Sequence, residues 1–258
     1  MAGGSGFSSV VHETSDGRVH RRAVLPEARE ALQRQFRFLP WLAARVSVPI
    51  PVPEALDGQT LVYRKIPGEV LTPSLLRTLD AKALAGEIAR FITALHSLPV
   101  AECVAAGVSE LNRTEELLGA FERTLPFLSA EDRRAAENWR KTFAAEEGGS
   151  VFIHGDLWYE NILVDARTGR LCGVLDFDAA SIGDPAWDLA TQIHLGVEFA
   201  RMVFEAYPKN NAEMLRRARQ LFQLRAFEGL DWAARNRDQV EFEESLRKLR
   251  DAGVLPYG

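Results

Sequence analysis

Residues 151–190 read VFIHGDLWYENILVDARTGRLCGVLDFDAASIGDPAWDLA. The stretch sets His154, Asp156, Asn161, Asp176, Asp184 and Asp188 among strand- and turn-forming residues. A hydrophobic core does not tolerate acids and amides at this density unless something cationic is held there. The stretch is therefore read as a metal and phosphate site. Asp156 and Asn161 stand five apart in a segment too polar for a strand interior, so a loop can aim both at one point. The Val, Ile and Leu content of Glu160–Asp165 and Leu171–Asp178 predicts two strands joined by a Thr168-Gly169 turn. Such a hairpin brings Asp176, near its far end, back to the loop that began it. One carboxylate to orient a hydroxyl, with an amide oxygen and a second carboxylate for Mg²⁺, is the minimum equipment for phosphoryl transfer.

HGDxxxxN (residues 154–161) followed by LDFD (175–178) resembles the kinase catalytic loop and its metal-binding Asp. Its form is that of the aminoglycoside phosphotransferase family of small-molecule kinases, and Gly183-Asp184-Pro185-Ala186-x-Asp188-Leu189-Ala190 resembles that family's next signature. The resemblance covers about forty residues, far more than a lone short motif. It implies Asp156 as catalytic base, Asn161 and Asp176 as Mg²⁺ ligands, and His154 and Asp188 as braces of the loop. Asp184 reads equally well as a helix cap, with Pro185 in the first turn.

The rest of the chain is compatible with that frame. Its 258 residues, 47% apolar, are enough for a real core. The net charge of −5, with no long Lys/Arg block, argues against a nucleic-acid partner and suits a cationic substrate. Cys103, Cys172 and five scattered histidines show no zinc or disulfide spacing. No signal peptide and no run of about twenty apolar residues is seen, so a cytoplasmic protein with no membrane partner is expected.

At the start, the glycines and hydroxyls of Gly3-Gly4-Ser5-Gly6-Phe7-Ser8-Ser9 let a backbone approach a phosphate closely; without the downstream signature the same residues read as a flexible terminus. Strands are expected over 10–14 and 18–24 around the Asp16-Gly17 turn. Alternation with Val19 and Ala23 puts Arg21, rather than Arg22, on the inner face as the cation that reaches the phosphates; a one-residue register change would exchange them. A helix is expected from Glu27 to Leu42, with Ala28, Ala31, Leu32, Phe36 and Leu39 inward. In the family a Glu on this helix pairs with the strand cation; the matching position here is Gln35, so either the pair is weakened or Glu27 or Glu30 replaces it. Relatives also have a helix and a strand before the glycine loop that this sequence does not show. Thr60–Ile66 reads as a strand ended by Pro67-Gly68, and the resemblance makes it the hinge where backbone near Lys65 and Ile66 meets the purine.

Downstream, a helix over 80–98 carries Leu84, Ile88, Phe91, Ile92 and Leu95 on one stripe, and His96 reads as a structural histidine. A second helix starts at Ser129, with Asp132 completing a capping box, and runs to Gly148-Gly149. Residues 199–249 read as charged helices whose acids are mostly solvated. Glu228 and Asp231, in the aromatic Phe227-Glu228-Gly229-Leu230-Asp231-Trp232 run, are the candidates for holding substrate ammonium groups.

Together these readings predict an α+β, two-lobed, protein-kinase-like fold. A small antiparallel-sheet lobe over 1–66, lacking its first strand, binds the nucleotide, and a mainly helical lobe over 67–258 carries catalysis and substrate. The expected activity is a small-molecule kinase of antibiotic-resistance type. It passes the γ-phosphoryl of ATP or GTP, with Mg²⁺, to a hydroxyl of an aminoglycoside-like acceptor, with Gly4, Ser5, Gly6 and Arg21 steadying the phosphates. The alternatives are a kinase for a macrolide, an amino alcohol or a sugar, and a catalytically idle nucleotide-binding module.

Overall fold

A computed structural model describes residues 9–110, 112–143 and 149–257; Gly4, Ser5 and Gly6 lie outside them. Strands β1 (Ser9–Glu13) and β2 (Arg18–Ala23) pair antiparallel from Ser9↔Ala23 to Glu13↔Val19. The turn between them closes through the Gly17 amide on the Thr14 carbonyl, with Gly17 at φ +77°, a left-handed conformation that favours glycine. Helix α1 (Pro26–Ala43) begins with proline in its first turn, where a missing N–H costs nothing. Strands β3 (Pro53–Asp57) and β4 (Thr60–Arg64) complete a four-stranded antiparallel sheet of order β1-β2-β4-β3.

Alternation on β2 turns Val19, Arg21 and Ala23 inward and leaves Arg22 exposed. Ala23 joins Ala28 and Leu32 of α1 and Leu61 of β4 in one buried cluster. The inward stripe of α1 differs from expectation at one aromatic. Phe36 is 39% exposed, whereas Phe38 is buried, because the stripe through Leu32, Gln35, Leu39 and Leu42 leaves position 36 on its flank. Strand β4 ends at Arg64, short of the expected Ile66.

The chain continues through β5 (Glu69–Val70), α2 (Pro73–Leu76), α3 (Ala81–His96) and α4 (Val100–Ala105). The α3 stripe of Leu84, Ile88, Phe91, Ile92 and Leu95 is buried as its spacing predicts. Helices α5 (Arg113–Thr124) and α6 (Ala130–Thr142) follow. Ser129 caps α6 reciprocally with Asp132, but the helix closes at Thr142, before Gly148-Gly149. Then come β6 (Val151–Ile153), β7 (Ile162–Asp165), β8 (Arg170–Val174), β9 (Ser181–Gly183), α7 (Ala186–Ala190), α8 (Val197–Ala206), α9 (Ala212–Asn236) and α10 (Gln239–Asp251). The expected hairpin is β7–β8, joined on its other edge by β5, while β6 and β9 form a separate two-stranded ladder.

Two compact units result. The first, residues 1–111 and 149–210, holds every strand together with α1–α4, α7 and α8. Its core includes Phe38, whose ring stands edge-on to Phe152 at 6.1 Å and to Phe177 at 6.4 Å. The second, residues 112–148 and 211–258, is built from α5, α6, α9 and α10. Its core is aromatic: Phe121 and Phe227 lie 4.8 Å apart, and Trp139 packs on Phe227 at 5.6 Å while its indole N–H donates to Gln223.

Candidate active site

The 154–161 segment leaves β6 at a glycine that nothing else could replace. Gly155 has φ +76°, and a Cβ there would stand 2.5 Å from the Ala179 carbonyl oxygen. The loop is fastened from beneath by Asp188 of α7, which has no exposed side-chain surface. Asp188 accepts from the backbone N–H of His154 (3.0 Å) and of Gly155 (2.8 Å) and from His96 Nε2 (3.1 Å). Burial works against its charge, but His96 and these amides prevail and hold the carboxyl below its usual range. His96 in turn bonds the Tyr207 hydroxyl at 3.0 Å. Further along, Thr191 Oγ1 and Gln192 Nε2 both donate to the Leu157 carbonyl. His154 and Asp188 are thus placed as loop braces, and His96, Thr191 and Gln192 are braces that sequence reasoning missed. The sequence reads His96 as structural, but nothing in the linear pattern says which residue it serves.

The His154 ring is wholly buried and lies 4.5 Å from the Phe177 ring. Its Nε2 faces the Leu175 carbonyl at 2.9 Å and its Nδ1 faces the Asp156 amide at 3.3 Å. A carbonyl can only accept and an amide N–H can only donate, so the hydrogen sits on Nε2. One ring therefore ties the Asp156 loop to the segment that carries Asp176.

Asp156 stands half-buried on this loop. Asn161 closes it by donating Nδ2 to the Asp156 carbonyl at 2.8 Å, with a longer contact of 3.4 Å to Asp156 Oδ2. The Leu175 amide donates to the Asn161 carbonyl at 2.8 Å, which sets Asp176 beside Asn161. Because the amide nitrogen of Asn161 is committed to Asp156, its Oδ1 is the atom left for a cation. One amide oxygen and one carboxylate are hard donors, and Mg²⁺ characteristically takes few protein ligands and completes its shell with water and phosphate. Among the described residues no group of three or more His, Cys, Asp or Glu could hold a metal by itself. The donor set fits Mg²⁺ and not a closed zinc site.

Asp176 adopts φ +58°, a left-handed backbone unusual for a residue other than glycine. Its carboxylate receives Arg21 from β2 through two bonds of 3.0 and 3.2 Å, and Arg21 also donates to Asp178 at 2.6 Å. Arg21 is the inward cation, as alternation predicts. Burial disfavours its charge, but the two carboxylates hold the guanidinium above its ordinary range. Burial and the neighbouring charge of Asp176 push Asp178 up to about 6, against the pull of Arg21 and Gln35. Gln35 is buried on α1, yet its amide nitrogen meets Asp178. Gln35 therefore does not bond the strand arginine itself: Asp178 stands between them. Asp178 lies in the LDFD segment, where the linear pattern gives it no role distinct from that of Asp176.

The remaining candidates fall elsewhere. The Lys65 amide donates to the Gly17 carbonyl and its ammonium pairs with Glu13 at 2.8 Å, so that amide is already satisfied within the sheet. Ile66 is buried, and a Cβ on Gly173 of β8 would stand 2.7 Å from its side chain. In the helical unit Glu228 accepts two bonds of 3.0 Å from Arg113. Asp231, 3% exposed, pairs with Arg123 at 2.8 Å and Arg235 at 3.0 Å. Both carboxylates are thus paired with arginines of the same unit.

Comparison with known proteins gives a consistent result. A viomycin phosphotransferase from Streptomyces vinaceus is 34% identical over 137 residues, covering 50% of this chain and 48% of that protein. The match thus spans about half the length of this curated relative. The solved GDP complex of a wild-type aminoglycoside 2'-phosphotransferase-IIIa superposes with a TM-score of 0.87 at 24% identity, covering 96% of this chain and 90% of that one. A macrolide 2'-phosphotransferase type I superposes at 0.76 with 18% identity over 96% of this chain and 90% of that one. At these identities the superpositions establish the fold: α+β and protein-kinase-like, with a small antiparallel sheet. The model of the phosphotransferase enzyme family matches residues 2–222, and the chain belongs to that family.

Proposed function

We propose that the protein transfers the γ-phosphoryl group of ATP or GTP to a hydroxyl of a small cationic antibiotic of the aminoglycoside kind. The observation that carries this reading is the fastened loop: Asp188, His154 and Asn161 hold the segment that carries Asp156, the His154 ring ties it to the Leu175 carbonyl next to Asp176, and Arg21 meets Asp176 from the sheet. In a loose phosphoryl-transfer transition state there is little covalent chemistry for the protein to do. Asp156 orients the acceptor hydroxyl and takes its proton late. Asn161 Oδ1 and the Asp176 carboxylate would hold Mg²⁺, and a bound Mg²⁺ would supply positive charge to the transferring phosphoryl group. Arg21 steadies the phosphates, helped by the Gly4-Ser5-Gly6 backbone, and the Lys65-Ile66 segment meets the base. In this reading residues 1–66 form the nucleotide lobe and 67–258 the catalytic and acceptor lobe.

The acceptor class is supported by the net charge of −5, which draws a polycation and repels an anion, and by the names of the relatives. Kinases of viomycin and of aminoglycosides are among them. A macrolide kinase shares the fold, so a macrolide is the second acceptor class to test. Purified protein with Mg²⁺ and ATP or GTP is to be offered aminoglycosides, viomycin and macrolides, with products read by mass spectrometry. A phosphate added to a cationic antibiotic is the expected result. Phosphorylation of a macrolide alone would move the acceptor class, and no phosphorylated product with any of them would overturn the proposal.

A further inference from the structure

We infer that Asp178 is the positioning residue that keeps Arg21 in place when Asp176 is drawn away. The carboxylate that a kinase supplies from its helix is supplied here from the loop after β8, and helix α1 contributes the amide of Gln35 instead. The ion-pair geometry stands by itself, and the release of Asp176 rests on the phosphoryl-transfer reading above.

Three features of the cluster carry this. Arg21 is 8% exposed and always charged, so it needs a carboxylate partner at every stage. Its two partners are not equivalent. Asp176 has a more open side chain, 36% exposed against 26% for Asp178, and stands beside Asn161 with the donor chemistry of a metal ligand. Asp178 is clamped from behind by Gln35, itself 2% exposed, whose amide nitrogen bonds one carboxylate oxygen while Arg21 takes the other. Once Asp176 turns its charge to a metal, Asp178 is the acidic side chain bonded to Arg21 that remains. Gln35 then makes chemical sense as an amide. It donates to Asp178, which a glutamate could not do, and a glutamate would set a second negative charge against the first.

The hydrogen-bond chain can be reversed without breaking it. With Gln35→Glu and Asp178→Asn together, the asparagine oxygen accepts from Arg21 and its amide donates to the new glutamate, so the charges and the donor count are conserved. The test uses the full-length protein, both single variants and the double. It measures urea unfolding without ligand, and calorimetric affinity for ATP with Mg²⁺ and for ATP in EDTA. Asp178→Asn should weaken Mg-ATP binding about tenfold, the equivalent of one charge-assisted hydrogen bond. It should change metal-free ATP binding by less than about twofold, because Asp176 still holds Arg21 there. The double variant should unfold at higher urea than Gln35→Glu alone, because the chain of donors and acceptors is restored, while its Mg-ATP affinity stays near that of Asp178→Asn, because the carboxylate no longer touches Arg21.

Equal losses with and without Mg²⁺, or a double variant that unfolds at no higher urea than Gln35→Glu, would overturn the inference. If Asp178→Asn does not fold, the comparison of the double with Gln35→Glu decides the same question. Wild-type protein that binds neither form of ATP would instead overturn the functional reading, an outcome visible before any variant is compared.

Discussion

A carboxylate with no exposed side-chain surface, fed by two backbone amides and a histidine, defines Asp188. Removing one partner of a buried charged cluster leaves the others unsatisfied, so Asp188→Ala should cost about 3–5 kcal/mol of folding stability. The pH dependence follows from the direction of its shift. The folded carboxyl titrates below its usual range, so its stabilisation is complete above an unfolded Asp pKa of about 4 and is lost as pH falls through the lower folded value. Urea unfolding from neutral pH down to pH ~3 should therefore show the advantage of wild type over Asp188→Ala beginning to narrow at the acid end. A constant difference across that range would mean that the carboxylate charge is not what fastens the loop. The sequence-level brace assignment of His154 and Asp188 has this physical content. What the linear pattern could not carry was the third member, since His96 lies 92 positions from Asp188 and an isolated histidine on an apolar stripe names no partner.

The same limit governs whole elements. Helices α3 and α6 and the β7–β8 hairpin were legible because their signals are local: a 3.6-residue stripe, a capping box, and two apolar runs around a turn. Helix α1 was legible as a helix but not in full as a surface. Phe36 was assigned inward on apolarity and lies on the flank, while polar Gln35 holds the buried stripe because Asp178 gives it a partner. Helix α9 teaches the same lesson. Its Glu228 and Asp231 are candidate ligands for ammonium groups in the sequence because they share a helix and an aromatic-flanked run; α5 brings an arginine to each from more than a hundred residues away. Glu228→Gln removes a partly exposed intramolecular ion pair. It should lower stability by about 0–1 kcal/mol and change KM for a cationic acceptor by less than about twofold. A large rise in KM with kcat unchanged would restore Glu228 to the acceptor site.

At the scale of the molecule, residues 151–190 held the fold class because so much chemistry is packed into one contiguous stretch. The sheet's contribution had to wait for the structure, since Arg21 meets Asp176 across 155 positions. Among the described residues no helix is long and apolar enough to cross a membrane. In the proposed mechanism Asp156 orients the acceptor while Asp176 serves the nucleotide and its metal. One experiment separates the two roles: acceptor-stimulated release of nucleoside diphosphate, with nucleotide affinity measured alongside, for wild type, Asp156→Asn and Asp176→Ala. Asp156→Asn should keep wild-type Mg-nucleotide affinity and lose about 10²–10⁴ in acceptor-dependent turnover, the range for a positioned general base. Asp176→Ala should lose the Mg²⁺ dependence of nucleotide binding itself. Near-normal turnover in Asp156→Asn, or unchanged Mg²⁺ titration in Asp176→Ala, would contradict the account.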